Sequence, residues 1–205
     1  MMKNAGRQGL TGLVLTLAVG ILAATLSGTG CGLFEPRTPE LSNNSGQSWE
    51  PPTDPSIVLT NLQRAITAKN LENYLRSLND SSKTHQGFVF APAAVPVQYA
   101  SLLSNWTIDD ERTYFQNLLA KTGDGFSDLQ LTRKDSTLSS DAPVYSCSYV
   151  LTFDHTEAGF PTSASGDLQF TLIRDNSNFW YIARWVDIKT DNDITWSYFK
   201  AKFSN

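Results

Sequence analysis

Val144-Tyr145-Ser146-Cys147-Ser148-Tyr149-Val150-Leu151-Thr152-Phe153 alternates large apolar side chains with mostly small or hydroxylated ones. Successive side chains on a strand point to opposite faces, so Tyr145, Cys147, Tyr149, Leu151 and Phe153 belong to one buried face. The same period begins at Leu129 and Leu131 and returns in Leu168, Phe170 and Leu172, which alternate with Gln169 and Thr171. Asp175-Asn176-Ser177-Asn178 is a cluster of turn residues, and Phe179 to Ile188 follows as another strand. These segments predict a meander of about four long antiparallel strands, with Phe88-Val89-Phe90 as a short fifth.

Upstream of the meander the period is helical. Asp54 is suited to an N-cap and Pro55 to the first helical position, and Val58, Leu62, Ala65 and Ile66 recur at helical spacing. Asn70 predicts a second cap before Leu71, Tyr74, Leu75 and Leu78. Thr107, followed by Asp109, Asp110 and Glu111, opens a third helix, with the three carboxylates read as favouring its positive end. Lys121 and Gly123 close it. A last short helix, capped by Asp193, carries Trp196, Phe199 and Phe203 on one stripe. Helices first and a meander after them predict an α+β domain with helices on one face of an antiparallel sheet.

The first 55 residues read differently. Lys3 and Arg7 precede a stretch from Gln8 to Phe34 without a charged residue, with Leu10, Leu13, Val14, Leu15, Leu17, Val19, Ile21, Leu22 and Leu26 as its apolar core. A basic start, an apolar middle and a small-residue end are what a secretory signal requires. An uncleaved membrane anchor is the alternative, and the run is borderline in length for spanning a bilayer. From Gly32 to Pro55 the chain holds five of its nine prolines together with Ser42, Asn43, Asn44, Ser45 and Gly46, the composition of an extended tether. The organisation predicted is a signal peptide over 1–30, a modified cysteine and tether over 31–55, and one α+β domain over 56–205.

Composition narrows the function classes. The 205 residues are 40% hydrophobic and 11% aromatic, which suits a packed core. The net charge of −4 disfavours a partner nucleic acid. Two cysteines and two histidines leave little for a zinc site or a disulfide framework, and no cofactor or metal is assigned. His85 and His155 stand apart and are read as surface residues near loops. Cys147 is read as a small buried hydrophobe. No Gly-x-Ser-x-Gly elbow supports a nucleophilic triad.

Leu26-Ser27-Gly28-Thr29-Gly30-Cys31 resembles the lipobox of bacterial lipoproteins. That resemblance implies a diacylglyceryl group on the Cys31 thiol, cleavage before it, and attachment to the membrane through acyl chains. It implies an exported protein of the bacterial outer membrane, facing the periplasm or the cell surface. Gly28 stands where the pattern usually has a leucine-like residue. Without Lys3 and Arg7, 14 basic residues face 20 acidic ones, so acyl chains rather than surface charge would hold the protein to the membrane.

Asn61-Leu62, Tyr74, Phe88-Val89-Phe90, Trp106 with Glu111, Trp180-Tyr181-Ile182-Ala183-Arg184-Trp185-Val186-Asp187 and Thr195-Trp196 carry a second resemblance. The order of elements is similar to the nuclear transport factor two-like, or SnoaL-like, fold, and the chain is similar to bacterial lipoproteins of unknown function that hold such a domain. The resemblance implies a strongly curved sheet forming a cone, over residues 56 to 205. Enzymes of that fold work inside the cone, but no motif marks their residues here, so strand parity alone selects candidates. Trp180 and Ile182 share one face of their strand, and Trp185 and Asp187 the other. A bulge near Ala183-Arg184 would bring all four to one side. Tyr149, Arg184, Trp185 and Asp187 are the pocket candidates, weighed against an aromatic core with an Asp–Arg structural pair.

Two functions follow as expectations. One is a non-catalytic binding or assembly module of the envelope, with a protein partner or a small hydrophobic ligand. The other is an enzyme of isomerase, dehydratase or hydrolase type acting on a small hydrophobic molecule in the cone, with Asp187 as base. A buried, unpaired carboxylate in a deep pocket would favour the enzyme; a cone filled by Trp185 and Tyr149 would favour the module.

Overall fold

A computed structural model describes residues 49–137, 139 and 141–204. The signal segment, Cys31 and the tether as far as residue 48 lie outside the described residues. The sheet has five strands in the order β1-β5-β4-β3-β2: β1 Val89–Ala91, β2 Ser127–Thr137, β3 Val144–Phe153, β4 Ser163–Arg174 and β5 Trp180–Ile188. The four long strands pair antiparallel in chain order, as the alternation predicts. The short strand β1 departs from the antiparallel expectation, because it pairs with β5 in parallel. The alternation in β3 buries the predicted face: Tyr145, Cys147, Tyr149, Leu151 and Phe153 are all inside.

Six α-helices are described: α1 Pro55–Thr67, α2 Leu71–Arg76, α3 Ser81–Thr84, α4 Val97–Ala100, α5 Ile108–Thr122 and α6 Trp196–Phe203. Asp54 caps α1 with Pro55 at its first position, and Asn70 caps α2 through the Asn73 amide. Thr107 and Asp110 form a reciprocal capping box at α5, and Gly123 closes that helix with φ of 55°. The cap of α6 is Thr195, not Asp193, since the Thr195 hydroxyl accepts from the Tyr198 amide. Val58, Leu62 and Ile66 of α1, Phe115 and Leu118 of α5, and Phe199 and Phe203 of α6 share one core with the inner face of the sheet.

The segment 49–55, read from its prolines as tether, is seated on the domain. Asn61 donates to the Glu50 carbonyl at 2.6 Å and accepts from the Glu50 amide at 3.0 Å. Pro52 is buried, and its carbonyl accepts from the Trp180 amide at 2.9 Å. Proline lacks a donor but keeps its acceptor, and that acceptor serves the strand here.

The outer edge of β5 is thereby covered in three pieces. Pro52 takes the Trp180 amide, residues 77–79 exchange hydrogen bonds with Ile182, and β1 pairs with Arg184, Trp185 and Val186. Unpaired strand edges are templates for other chains, so this covering has a protective value.

Candidate functional site

The strand has a bulge at Ala183, the condition under which its four inward candidates share one side. Across β4, Thr171 pairs with Arg184 and Leu172 with Ile182, which leaves Ala183 as the extra residue. One inserted residue reverses the parity of everything after it. Trp180, Ile182, Trp185 and Asp187 therefore all point into the core. Arg184 does not: its side chain is exposed on the other face, and it makes no pair with Asp187. The Asp–Arg partnership considered from the sequence is replaced by neutral donors.

Asp187 is 3% exposed and Tyr149 2%. Asp187 Oδ1 accepts from the Tyr149 hydroxyl at 2.9 Å, and Oδ2 accepts from the Ser197 amide at 2.7 Å and its hydroxyl at 2.5 Å. The Tyr149 oxygen in turn accepts from the Trp196 amide at 2.7 Å. Asp187 and Tyr149 thus satisfy two amides at the start of α6, where a helix leaves donors free. Burial raises the Asp187 pKa, against the lowering by the Ser197 and Tyr149 hydrogen bonds and by the positive charge of Lys200. Burial also raises the Tyr149 pKa, and the neighbouring Asp187 charge adds to that rise. Gly166 leaves room for this arrangement. A Cβ there would lie 3.0 Å from the Tyr149 hydroxyl and 2.8 Å from the Ile188 carbonyl oxygen.

A second polar cluster adjoins the first. Lys200 of α6 forms an ion pair with Glu111 of α5, and both side chains have no exposure. Glu111 Oε1 also accepts from Trp106 Nε1 at 2.9 Å, and Oε2 accepts from the Tyr74 hydroxyl at 2.7 Å. Lys200 Nζ sits 3.9 Å from the ring centroids of both Phe90 and Trp185, where cation–π attraction adds to the ion pair. Burial lowers the Lys200 pKa, opposed by the Glu111 carboxylate. Burial and the same carboxylate raise the pKa values of Tyr74 and Tyr114.

The space between the clusters is filled by rings. Trp185 and Trp196 meet edge to face at 4.4 Å, Phe170 packs on Trp185 at 5.0 Å, and Trp196 Nε1 donates to the Tyr114 hydroxyl at 3.1 Å. Each oxygen of Asp187 and Glu111 accepts at least one hydrogen bond. Both carboxylates are engaged and buried, so neither is open to a molecule from solvent in this arrangement.

Among the pocket candidates the structure brings together Tyr149, Trp185 and Asp187, and leaves Arg184 outside. The sequence reading names neither Lys200 nor Ser197, has Tyr74 only as a residue of an apolar helix face and of the fold resemblance, and takes Glu111 for a helix-start carboxylate. A signal existed. Trp196, Phe199, Lys200 and Phe203 share one helical stripe, as do Glu111, Phe115 and Leu118, so each charge stands on an apolar face. His155 is also placed differently: it is buried among Phe160, Phe199 and Phe203, with Nε2 3.0 Å from the Pro161 carbonyl oxygen. Cys147 is buried, and burial raises its thiol pKa. Among the described residues no three His, Cys, Asp or Glu side chains are grouped to hold a metal ion. No described helix is long and apolar enough to cross a membrane.

No protein-family model and no curated protein matches this chain. Solved structures do resemble it. A protein of unknown function from Mycobacterium tuberculosis is 16% identical, with 64% of this chain and 66% of that one covered and a TM-score of 0.45. A ketosteroid isomerase-like protein from Erwinia carotovora atroseptica is 14% identical, with 67% and 94% covered and a TM-score of 0.48. A conserved protein from Planctomyces limnophilus is 9% identical, with 65% and 91% covered and a TM-score of 0.50, a likeness of fold alone. The chain thus spans just under two thirds of the Mycobacterium protein.

Proposed function

We propose that this chain is an exported bacterial lipoprotein, anchored through acyl chains on Cys31 in the outer membrane, whose domain is a non-catalytic binding or assembly module. We assign that domain to the nuclear transport factor two-like class, with the cone as its finer geometry. Bulges at Lys134 and Ala183 support the curvature, since each inserted residue bends its strand. The observation that carries the functional reading is the closed interior: Glu111 is paired with Lys200, Asp187 is held by Tyr149 and Ser197, and Trp185 and Trp196 fill the space between them.

The enzyme reading retains one supporting observation, the hydrogen bond between Asp187 and Tyr149 in a buried setting. It requires α6 to leave, because Ser197 and Trp196 of that helix occupy the Asp187–Tyr149 pair. Native-state hydrogen exchange tests this. The Trp196 and Ser197 amides should exchange only through global unfolding. Exchange of these two amides through a local opening of α6 would favour the enzyme. The anchor is tested separately by mass spectrometry of the membrane-extracted protein, where Cys31 should be the acylated first residue. An intact segment 1–30 would remove the lipoprotein assignment.

A further inference from the structure

Away from the interior, a groove of about 210 Å³ lies where residues 49–52 cross the start of β5. Its walls are Trp49, Pro52, Phe179 and Tyr181, and two cations reach it, Arg76 and Lys83. The Arg76 guanidinium lies 4.2 Å from the Trp49 ring centroid, and Lys83 Nζ lies 4.3 Å from that of Tyr181. Among the described residues neither cation has a carboxylate within ion-pairing distance, although other surface cations of the domain do. Arg76 has only a 3.5 Å contact to Asn73 Oδ1, and Lys83 donates to the Leu78 carbonyl at 3.2 Å. The nearby Asp175 is already engaged: it accepts from the Ser177 and Phe179 amides and from the Tyr181 hydroxyl. Two cations converge on an aromatic wall in a chain whose net charge is −4; the carboxylates of Asp80 and Asp175 act on Lys83 from a distance, but among the described residues neither cation has one in direct contact.

We propose that this groove binds a small organic anion, one aromatic ring bearing a single carboxylate or phosphate, with the ring against Trp49 and Tyr181 and the anion held by Arg76 and Lys83. Size sets the scale. An enclosed cavity of about 150 Å³ accommodates benzene, so this groove has room for one ring with its anionic group. Charge sets the sign, because an anion relieves the repulsion between Arg76 and Lys83 while a cation adds to it. Burial lowers the Lys83 pKa, opposed by the Asp80 and Asp175 carboxylates and helped by the Arg76 charge, so its ammonium is left short of compensating charge.

The proposal gives the binding-module reading a ligand class and rests on it. Calorimetric titration of the full chain in non-ionic detergent with phenyl phosphate, benzoate, inorganic phosphate and benzyl alcohol tests it. Phenyl phosphate and benzoate should bind saturably at one site. Arg76→Gln and Lys83→Gln should each weaken them by about tenfold, the equivalent of one charge-assisted contact, with unchanged thermal melting. Absence of saturable binding, parent-like affinity in both variants, or equally tight inorganic phosphate or benzyl alcohol would overturn it. Slow Trp196 and Ser197 exchange without such binding removes the ligand alone; fast exchange removes the closed-interior reading, whatever the groove binds.

Discussion

Lys200 and Glu111, 89 positions apart in the chain, form a wholly buried ion pair between the last helix and the helix that precedes the meander. Neither charge touches water, and each is surrounded by partners that fit it: two hydrogen-bond donors besides the lysine on the carboxylate, two aromatic faces around the ammonium. Such a pair gains little over an apolar substitute of the same volume, yet breaking it on one side strands a charge.

Lys200→Met should therefore destabilise the domain by about 3–5 kcal/mol in urea unfolding, and Glu111→Gln by a similar amount. Adding Glu111→Gln to Lys200→Met should recover part of the loss. The glutamine oxygen can still accept a hydrogen bond from Trp106 or Tyr74, and no charge remains unpaired. Strict additivity of the two changes would show that the charges do not interact.

Asp187→Asn should cost about 1–3 kcal/mol, because the amide presents a donor to partners that are themselves donors. The sign of its pH dependence follows from burial, which raises the Asp187 pKa in the folded state. The stability held by the carboxyl is then fully present below the unfolded value of about 3.9 and is lost as pH rises through the raised folded value. The gap between parent and variant should shrink from acid toward neutral pH. A gap that grows over that range would mean that the hydrogen bonds outweigh burial.

Gly166→Ala should lower stability by about 1–3 kcal/mol through overpacking, since the new methyl meets a backbone carbonyl and the Tyr149 hydroxyl. Thermal unfolding reads the loss. A parent-like melting temperature would show that β4 and β5 can separate locally without cost.

Chain boundaries provide the fourth test. A chain beginning at Trp49 should melt at a higher temperature than one beginning at Ser56, because only the first keeps the Glu50–Asn61 pair and the Pro52 acceptor for Trp180. Coincident melting curves would return residues 49–55 to the tether.

Much of the fold is legible from local signals. Asp54, Asn70 and Thr107 mark helix starts through side-chain acceptors that act within three residues, and the alternation in β3 depends on the pleat alone. What stays hidden depends on partners far away in the chain. The parallel docking of β1 is decided by the edge of β5, and the seating of Pro52 by Trp180. At the site, parity with one bulge is enough to place Trp185 and Asp187 inside. It cannot choose between Arg184 and Ser197 as the partner of Asp187, because Ser197 arrives from a separate helix. Lys200 stays hidden for a different reason: a lysine on an apolar stripe reads as solvated unless its counter-charge is found on another stripe.

The three-piece covering of the β5 edge also bears on the order of synthesis. A chain is made from its N-terminus, and Pro52, residues 77–79 and β1 all precede β5, as does its other neighbour, β4. When Trp180 to Ile188 is made, the segments that flank it in the sheet are already present in the chain. A strand with three aromatic side chains thus has partners for both of its edges upstream of it and waits for none downstream. Only α6 follows it, and that helix carries Lys200 and Ser197, the partners of Glu111 and Asp187.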